Sequence, residues 1–237
     1  MRIEREIGLL CGIILIVLLV CAPSIAYDQQ AVDYYNQGTD YAHLNQYTNA
    51  IASFDKALEI SPDLFEAWYN RGIELGKLGR YDEAIASYDK ALKIRPDNSD
   101  TWFNRGIALF NLRRYEKAIT SFDKTLKINP NYFNASYNSG LSLDRLGRYD
   151  EAITSYDNEL KINPDNPAAW YNRGIVLGKL GQYDEAIASY DKALGINPDN
   201  PDAWSNRGAV LGTLGHYDEA VASFNKALKK QSAQDQP

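Results

Sequence analysis

Residues 51–58 read IASFDKAL, and nearly the same eight letters return at 85 (IASYDKAL), 119 (ITSFDKTL), 153 (ITSYDNEL), 187 (IASYDKAL) and 221 (VASFNKAL), 34 residues apart each time. Trp68, Trp102, Trp170 and Trp204 fall on the same spacing, with Tyr34 and Ser136 at the two remaining grid points. Self-similarity at a fixed period of this size marks an array of supersecondary units, each too small to bury its own apolar surface. Six units follow: 31–64, 65–98, 99–132, 133–166, 167–200 and 201–234. We number positions 1–34 within each, with Trp68 at position 4.

Each unit reads as two helices. Asn166-Pro167 and Asn200-Pro201 supply an N-cap followed by proline in the first turn. Gly79, Gly147, Gly181 and Gly215 end the first helix in the left-handed conformation that glycine accepts, and Asn45 serves the same purpose in the first unit. Asp-Glu pairs such as Asp82-Glu83 open the second helix, where the dipole favours anions. Pro62, Pro96, Pro130, Pro164 and Pro198 stop it. Small residues such as Gly72 and Ala84 let the two helices approach, and Trp68 and Tyr88 are expected to fill the space between them. Truncating such a buried Trp would cost roughly 3–5 kcal/mol. Ser136, where the other units carry an aromatic ring, is expected to mark the weakest packing.

The pattern resembles the tetratricopeptide repeat family. Its signature is Trp at 4, Gly at 8, Tyr at 17, Ala at 20, an aromatic at 24, Ala at 27 and Pro at 32. The second unit supplies Trp68, Gly72, Tyr81, Ala84, Tyr88, Ala91 and Pro96, and the fifth Trp170, Gly174, Tyr183, Ala186, Tyr190, Ala193 and Pro198. The departures are Ser136 for Trp, Thr125 and Glu159 for Ala, and Ser232 for Pro. The resemblance implies an all-α helix-turn-helix solenoid, wound as a right-handed superhelix, whose concave groove binds peptides or protein segments.

On the first helix, positions 4, 8 and 11 share the packing face, and positions 2, 5, 6, 9, 12 and 13 the opposite one. Position 5 carries Tyr35, Tyr69, Phe103, Tyr137, Tyr171 and Ser205; position 6 is Asn throughout, at 36, 70, 104, 138, 172 and 206. Asn offers donors and an acceptor to an extended backbone, and Tyr adds apolar area with a polar tip. Tyr69, Asn70, Phe103, Asn104, Tyr137, Asn138, Tyr171, Asn172 and Asn206 are therefore the candidate ligand-binding residues, expected to form one strip. The alternative is that these side chains bond neighbouring helices to one another. Glu66, Asp100, Asp144 and Asp202 on the same face favour a neutral or basic partner. The carboxylate-capturing mode of the family uses lysine, arginine and asparagine, of which this face matches only the asparagine: Tyr stands at position 5 and mostly Ile, Leu or Thr at 9, and Lys77 and Lys179 at position 13 do not restore the pattern. A carbohydrate-binding module using the Tyr row is the rival reading.

Catalysis and cofactors find no foothold. His43 and His216 are isolated, the repeated Asp-Glu pairs read as helix starts, and Gly-Lys-Leu-Gly at 76–79 and 178–181 lacks phosphate-loop spacing. Neither a cofactor nor a metal site is expected. The net charge of −6 argues against nucleic acid. Cys11 and Cys21, the only thiols, lie in the N-terminal apolar run. That run, residues 7–22, follows Arg2 and Arg5 and precedes Ser24-Ile25-Ala26. Residues 1–26 thus read as a signal peptide or membrane anchor, 27–30 as a linker and 235–237 as a polar tail, with the repeats exported, secreted or held at the membrane outside the cytoplasm.

Two further expectations concern contacts between units. Position 25 holds Asp55, Asp89, Asp123, Asp157 and Asp191 but Asn225 in the last unit, and position 7 of the following unit holds Arg71, Arg105, Ser139, Arg173 and Arg207. Each Arg follows an Asp 16 residues earlier, so Asp55–Arg71, Asp89–Arg105, Asp157–Arg173 and Asp191–Arg207 are expected to pair. The face of Val221, Phe224 and Leu228 has no following unit in this sequence, so its partial exposure is expected, with either self-association through the last repeat or fraying of that repeat.

Overall fold

The computed structural model describes residues 29–234. The expected signal or anchor segment at 1–26 and the tail at 235–237 lie outside the described residues, among which no helix is long and apolar enough to cross a membrane.

Twelve helices and no strand make up the described residues. They pair as helix–turn–helix units in the expected register: α1 (29–43) with α2 (Tyr47–Ile60), α3 (Phe65–Lys77) with α4 (Tyr81–Ile94), α5 (Ser99–Asn111) with α6 (Tyr115–Ile128), α7 (Ala135–Arg145) with α8 (Tyr149–Ile162), α9 (Pro167–Lys179) with α10 (Tyr183–Ile196), and α11 (Pro201–Thr213) with α12 (Tyr217–Gln234). Residues 29 and 30, left to the linker by the repeat register, already belong to α1. The described residues divide into two compact units, 29–104 and 105–234. In the first, α3 packs on α2 and α4; in the second, each helix from α6 to α12 packs on the next, and α9 also touches α7 and α11.

The ends of the helices follow the capping chemistry. The Asn166 side chain accepts from the N–H groups of Ala168 and Ala169, and Asn200 from that of Ala203, with proline in the first turn of each helix. Gly79, Gly147, Gly181 and Gly215 take φ of +74°, +74°, +76° and +83°, and Asn45 takes +58°. The third unit solves the same turn with Arg113 at φ +58°. Its cap is the usual one, Arg114 N–H donating to the Leu109 carbonyl at 2.9 Å, as Arg80 does to Leu75. A side chain in this conformation costs about 1–2 kcal/mol, and glycine gives back about 0.5–1 in chain entropy. Arg113→Gly is therefore expected to stabilise the chain by about 0.5–1 kcal/mol, read as a higher denaturation midpoint at unchanged m. An unchanged or lowered midpoint would count against strain at this turn.

Packing corrects the expected role of the tryptophans. The side chains that fill the seam are the position-24 aromatics: Phe54, Phe122 and Tyr156 are fully buried, and Tyr88 and Tyr190 nearly so. Each sits over the position-8 glycine so closely that a Cβ there would lie 2.5–2.7 Å from its ring at Gly38, Gly72, Gly106, Gly140 and Gly174. Position 3, always Ala or Thr in the last five units, is fully buried beside them. Trp68, Trp102, Trp170 and Trp204 are only half-buried. Their indole N–H groups donate to the carbonyls of Pro62, Pro96, Pro164 and Pro198 at 2.8, 2.9, 2.8 and 3.0 Å, tying each first helix to the turn before it.

The fourth unit shows what the Trp does. With Ser136 in its place there is no indole to hold the turn. Asn134 takes φ +63°, and α7 begins at Ala135 with 11 residues, where α9 begins at the first position of its unit and has 13. Ser136 itself is buried, and the displaced Phe133 is exposed.

Within each of the two compact units, the expected acid–arginine pairs form between adjacent repeats: Arg71–Asp55 at 2.6 Å, Arg173–Asp157 at 2.7 Å and Arg207–Asp191 at 2.6 Å. The expected partners Asp89 and Arg105 belong to different units. A feature not anticipated is a third member. The same guanidinium donates to the position-23 serine of its own repeat, Arg71 to Ser87, Arg105 to Ser121, Arg173 to Ser189 and Arg207 to Ser223, at 2.7–2.8 Å. In the first repeat, Gln37 takes the place of Arg and accepts from Ser53 at 3.2 Å. Serine at position 23 in all six repeats was the signal in the sequence.

Toward the end of the described residues, Tyr217, Val221, Phe224 and Leu228 lie exposed along α12.

Candidate functional site

The recurring spacing of Tyr at position 5 and Asn at position 6 places Asn70, Asn104, Asn172 and Asn206 against the Tyr of the preceding repeat. In the N-terminal unit, Asn70 Nδ2 donates to Tyr35 Oη and Asn104 Nδ2 to Tyr69 Oη, both at 3.1 Å. In the C-terminal unit, Asn172 donates to Tyr137 and Asn206 to Tyr171, both at 3.0 Å. Asn138 follows Phe103, which has no hydroxyl, and its amide donates instead to the Asn134 carbonyl at 2.8 Å. The amides thus do bond neighbouring helices. Tyr69, Asn70, Phe103 and Asn104 lie in one unit, and Tyr137, Asn138, Tyr171, Asn172 and Asn206 in the other.

This pairing uses the Asn Nδ2 donor and a Tyr oxygen lone pair only. Among the described residues, the Tyr35, Tyr69, Tyr137 and Tyr171 hydroxyls donate to no acceptor, and Asn70, Asn104, Asn172 and Asn206 accept nothing at Oδ1. The rings are half-buried and lean on the position-24 aromatics, with centroids 5.9 Å apart for Tyr35–Phe54 and 6.0 Å for Tyr137–Tyr156. Burial raises the pKa of all four Tyr hydroxyls. Glu66, Asp100 and Asp202 push those of Tyr35, Tyr69 and Tyr171 up further, which places acidic charge beside the row. The hydroxyls therefore stay protonated and able to donate through the physiological range. Of the expected acidic groups, Glu66 pairs with Arg95 at 2.7 Å and Asp144 with Lys179.

Two hollows open beside the Asn side chains, at equivalent places. One of ≈ 250 Å³ lies between α1 and α3, lined by Thr39, His43, Asn70, Ile73, Glu74 and Lys77. The other, ≈ 420 Å³, lies between α9 and α11, lined by Ile175, Lys179, Tyr183, Asn206, Ala209 and Thr213. His43, isolated in the sequence, is exposed and borders the first hollow. Glu74 is buried and unforeseen as a site residue. Its Oε1 accepts from Lys77 at 2.9 Å, while its buried Oε2 has no hydrogen-bond partner. No group of three or more His, Cys, Asp or Glu among the described residues is placed to hold a metal ion.

This hairpin array with its Trp, Gly and aromatic register defines a class. The chain belongs to the tetratricopeptide repeat family, whose models match residues 38–79, 65–98, 99–132, 137–201 and 174–237. Several solved structures are similar. MamA is 29% identical over 69% of this chain and 95% of its own, with a TM-score of 0.67. MamA from residue 41 to its end, from Desulfovibrio magneticus RS-1, is 25% identical over 73% of this chain and 97% of its own, with a TM-score of 0.69. YrrB, described as a TPR protein with an unusual peptide-binding site, is 28% identical over 73% of this chain and 89% of its own, with a TM-score of 0.67. No curated protein sequence matches the chain.

Proposed function

We propose that the chain is a protein-interaction scaffold, not an enzyme, and that within each compact unit the position-5 and position-6 faces of the first helices take an extended polypeptide segment. The observation that carries this reading is the chemistry left over once Tyr and Asn have paired. Each of the four Tyr–Asn pairs keeps a Tyr O–H donor and an Asn Oδ1 acceptor for a ligand, and an extended backbone offers the complementary acceptor and donor. The hollows beside Asn70 and Asn206 provide room for side chains. The charge of Asp202 beside Tyr171 favours a segment bearing donors or positive charge over an acidic one. The peptide-binding site of YrrB is in keeping with this use of the fold. The carbohydrate reading is weaker, because half-buried Tyr rings already leaning on other rings offer hydroxyl edges more readily than open faces.

Selection from a library of random linear peptides tests the proposal. Enriched peptides are expected to bind about tenfold more weakly to a chain carrying Asn70→Ala and Asn206→Ala, since each lost hydrogen bond is worth about 0.5–1.5 kcal/mol. Helicity should be nearly unchanged. Selected peptides that bind the double variant as tightly as the parent would move the function to another surface.

A further inference from the structure

The arginine clamp described above is missing its arginine in one place. Position 7 of the fourth repeat is Ser139, and the acid before it is Asp123. A cavity of ≈ 250 Å³ opens there, in the gap between α6 and α8 over α7, with Asp123, Ser139, Leu143, Arg148, Glu151 and Ser155 in its wall. Three intact copies of the same arrangement show what a filled site looks like. In each, one guanidinium spans from the preceding repeat's Asp, at 2.6–2.7 Å, to its own repeat's Ser, at 2.7–2.8 Å. It is largely withdrawn from water, with side-chain exposures of 17, 21 and 17%.

The groups around the cavity keep the character of that site. Among the described residues Asp123 makes no hydrogen bond or ion pair. Partial burial pushes its pKa up, with the charge of Arg148 opposing. Ser155 stands at position 23. Its counterparts Ser53, Ser87, Ser121, Ser189 and Ser223 are buried under their Arg or Gln, whereas Ser155 is half-exposed to the cavity and has no hydrogen-bond partner among the described residues. Ser139 is 4% exposed, lines the cavity and likewise bonds to nothing among the described residues. Arg148 does not fill the place, because Glu151 holds it in a fork at 2.7 and 2.6 Å. With that pair neutral, Asp123 leaves the wall with one negative charge, the complement of one cation. Leu143 and Ile119 supply the apolar surface that an aliphatic stem needs.

We propose that this cavity receives an arginine side chain from a partner polypeptide, which completes in trans the Asp–Arg–Ser clamp that the other repeats complete within the chain. Planar, forked donors fit a carboxylate on one side and a hydroxyl on the other, and a lysine ammonium reaches only one of them with comparable geometry. The site is separate from the Tyr–Asn rows and does not depend on the use made of them.

The test is calorimetric titration of the full chain with N-acetyl-arginine amide, beside the isosteric and uncharged N-acetyl-citrulline amide. Saturable binding of the arginine compound is expected in the millimolar range, with the citrulline compound at least about tenfold weaker. Ser139→Arg should abolish the binding by placing a guanidinium in the cavity from α7, and Asp123→Asn should weaken it about tenfold or more. Both variants must keep the parent's helical circular dichroism for their titrations to be read. Because Asp123→Asn is nearly isosteric at a position without partners, it serves if Ser139→Arg folds poorly. No saturable arginine binding, equal binding of the citrulline compound, or full binding by Asp123→Asn would each overturn the proposal.

Discussion

Phe122→Ala is expected to destabilise the chain by about 3–5 kcal/mol, and Trp170→Ala by only about half as much. Phe122 has no exposed surface, and its ring closes over Gly106, so truncation leaves a void between α5 and α6 that the rigid hairpin cannot collapse to fill. Trp170 is half-buried, with Arg173 lying over its ring at 5.9 Å and its indole N–H on the Pro164 carbonyl. Its removal forfeits one hydrogen bond, worth about 0.5–1.5 kcal/mol, and part of a ring's burial. Denaturant unfolding of the two variants measures the difference. A Trp170→Ala loss equal to or above that of Phe122→Ala would return the tryptophan to the centre of the core.

The second large effect contrasts two glycines one helical turn apart. Gly72→Ala is expected to cost about 1–3 kcal/mol, while Gly76→Ala is expected to gain up to about 1 kcal/mol. Both lie in α3, and alanine improves helix propensity at each. At Gly72 the new Cβ would stand 2.5 Å from Cε1 of Tyr88, a buried ring with no room to retreat. At Gly76 it would meet nothing within 4 Å. Equal effects of the two substitutions would show that close approach to the ring does not govern position 8. The same reasoning extends to Gly174 beneath Tyr190, where a Cβ would come within 2.7 Å of the ring.

One substitution within the repeat runs against both packing and charge. Glu159 stands where Ala57, Ala91, Ala193 and Ala227 occur and is fully buried. Its Oε1 accepts from Asn166 Nδ2 at 3.3 Å, and its Oε2 has no partner. The nearby Tyr156 hydroxyl, in a position filled by Phe in three other repeats, is also buried without one. These groups sit in the same repeat as the unpinned turn at Asn134 and the vacant clamp at Ser139, so the fourth repeat concentrates the array's departures from its own pattern.

The period of 34 residues, the two helices of each repeat, the capping Asn and Gly residues and the Asp–Arg register were all present in the sequence. Each depends on local chemistry or on a fixed spacing along one chain, and six copies make the register unambiguous. The sequence also held both roles of the Asn row without choosing between them. What only the tertiary structure decided is which member of an apolar face enters the seam, that Asn and Tyr of successive repeats meet, and that Ser139 leaves a cavity instead of a closed surface. A helical wheel assigns residues to a face, but depth within the face depends on how closely the next helix approaches. That approach is set by glycine at position 8, which lets the position-24 ring take the space and leaves the Trp at the edge, against its proline turn.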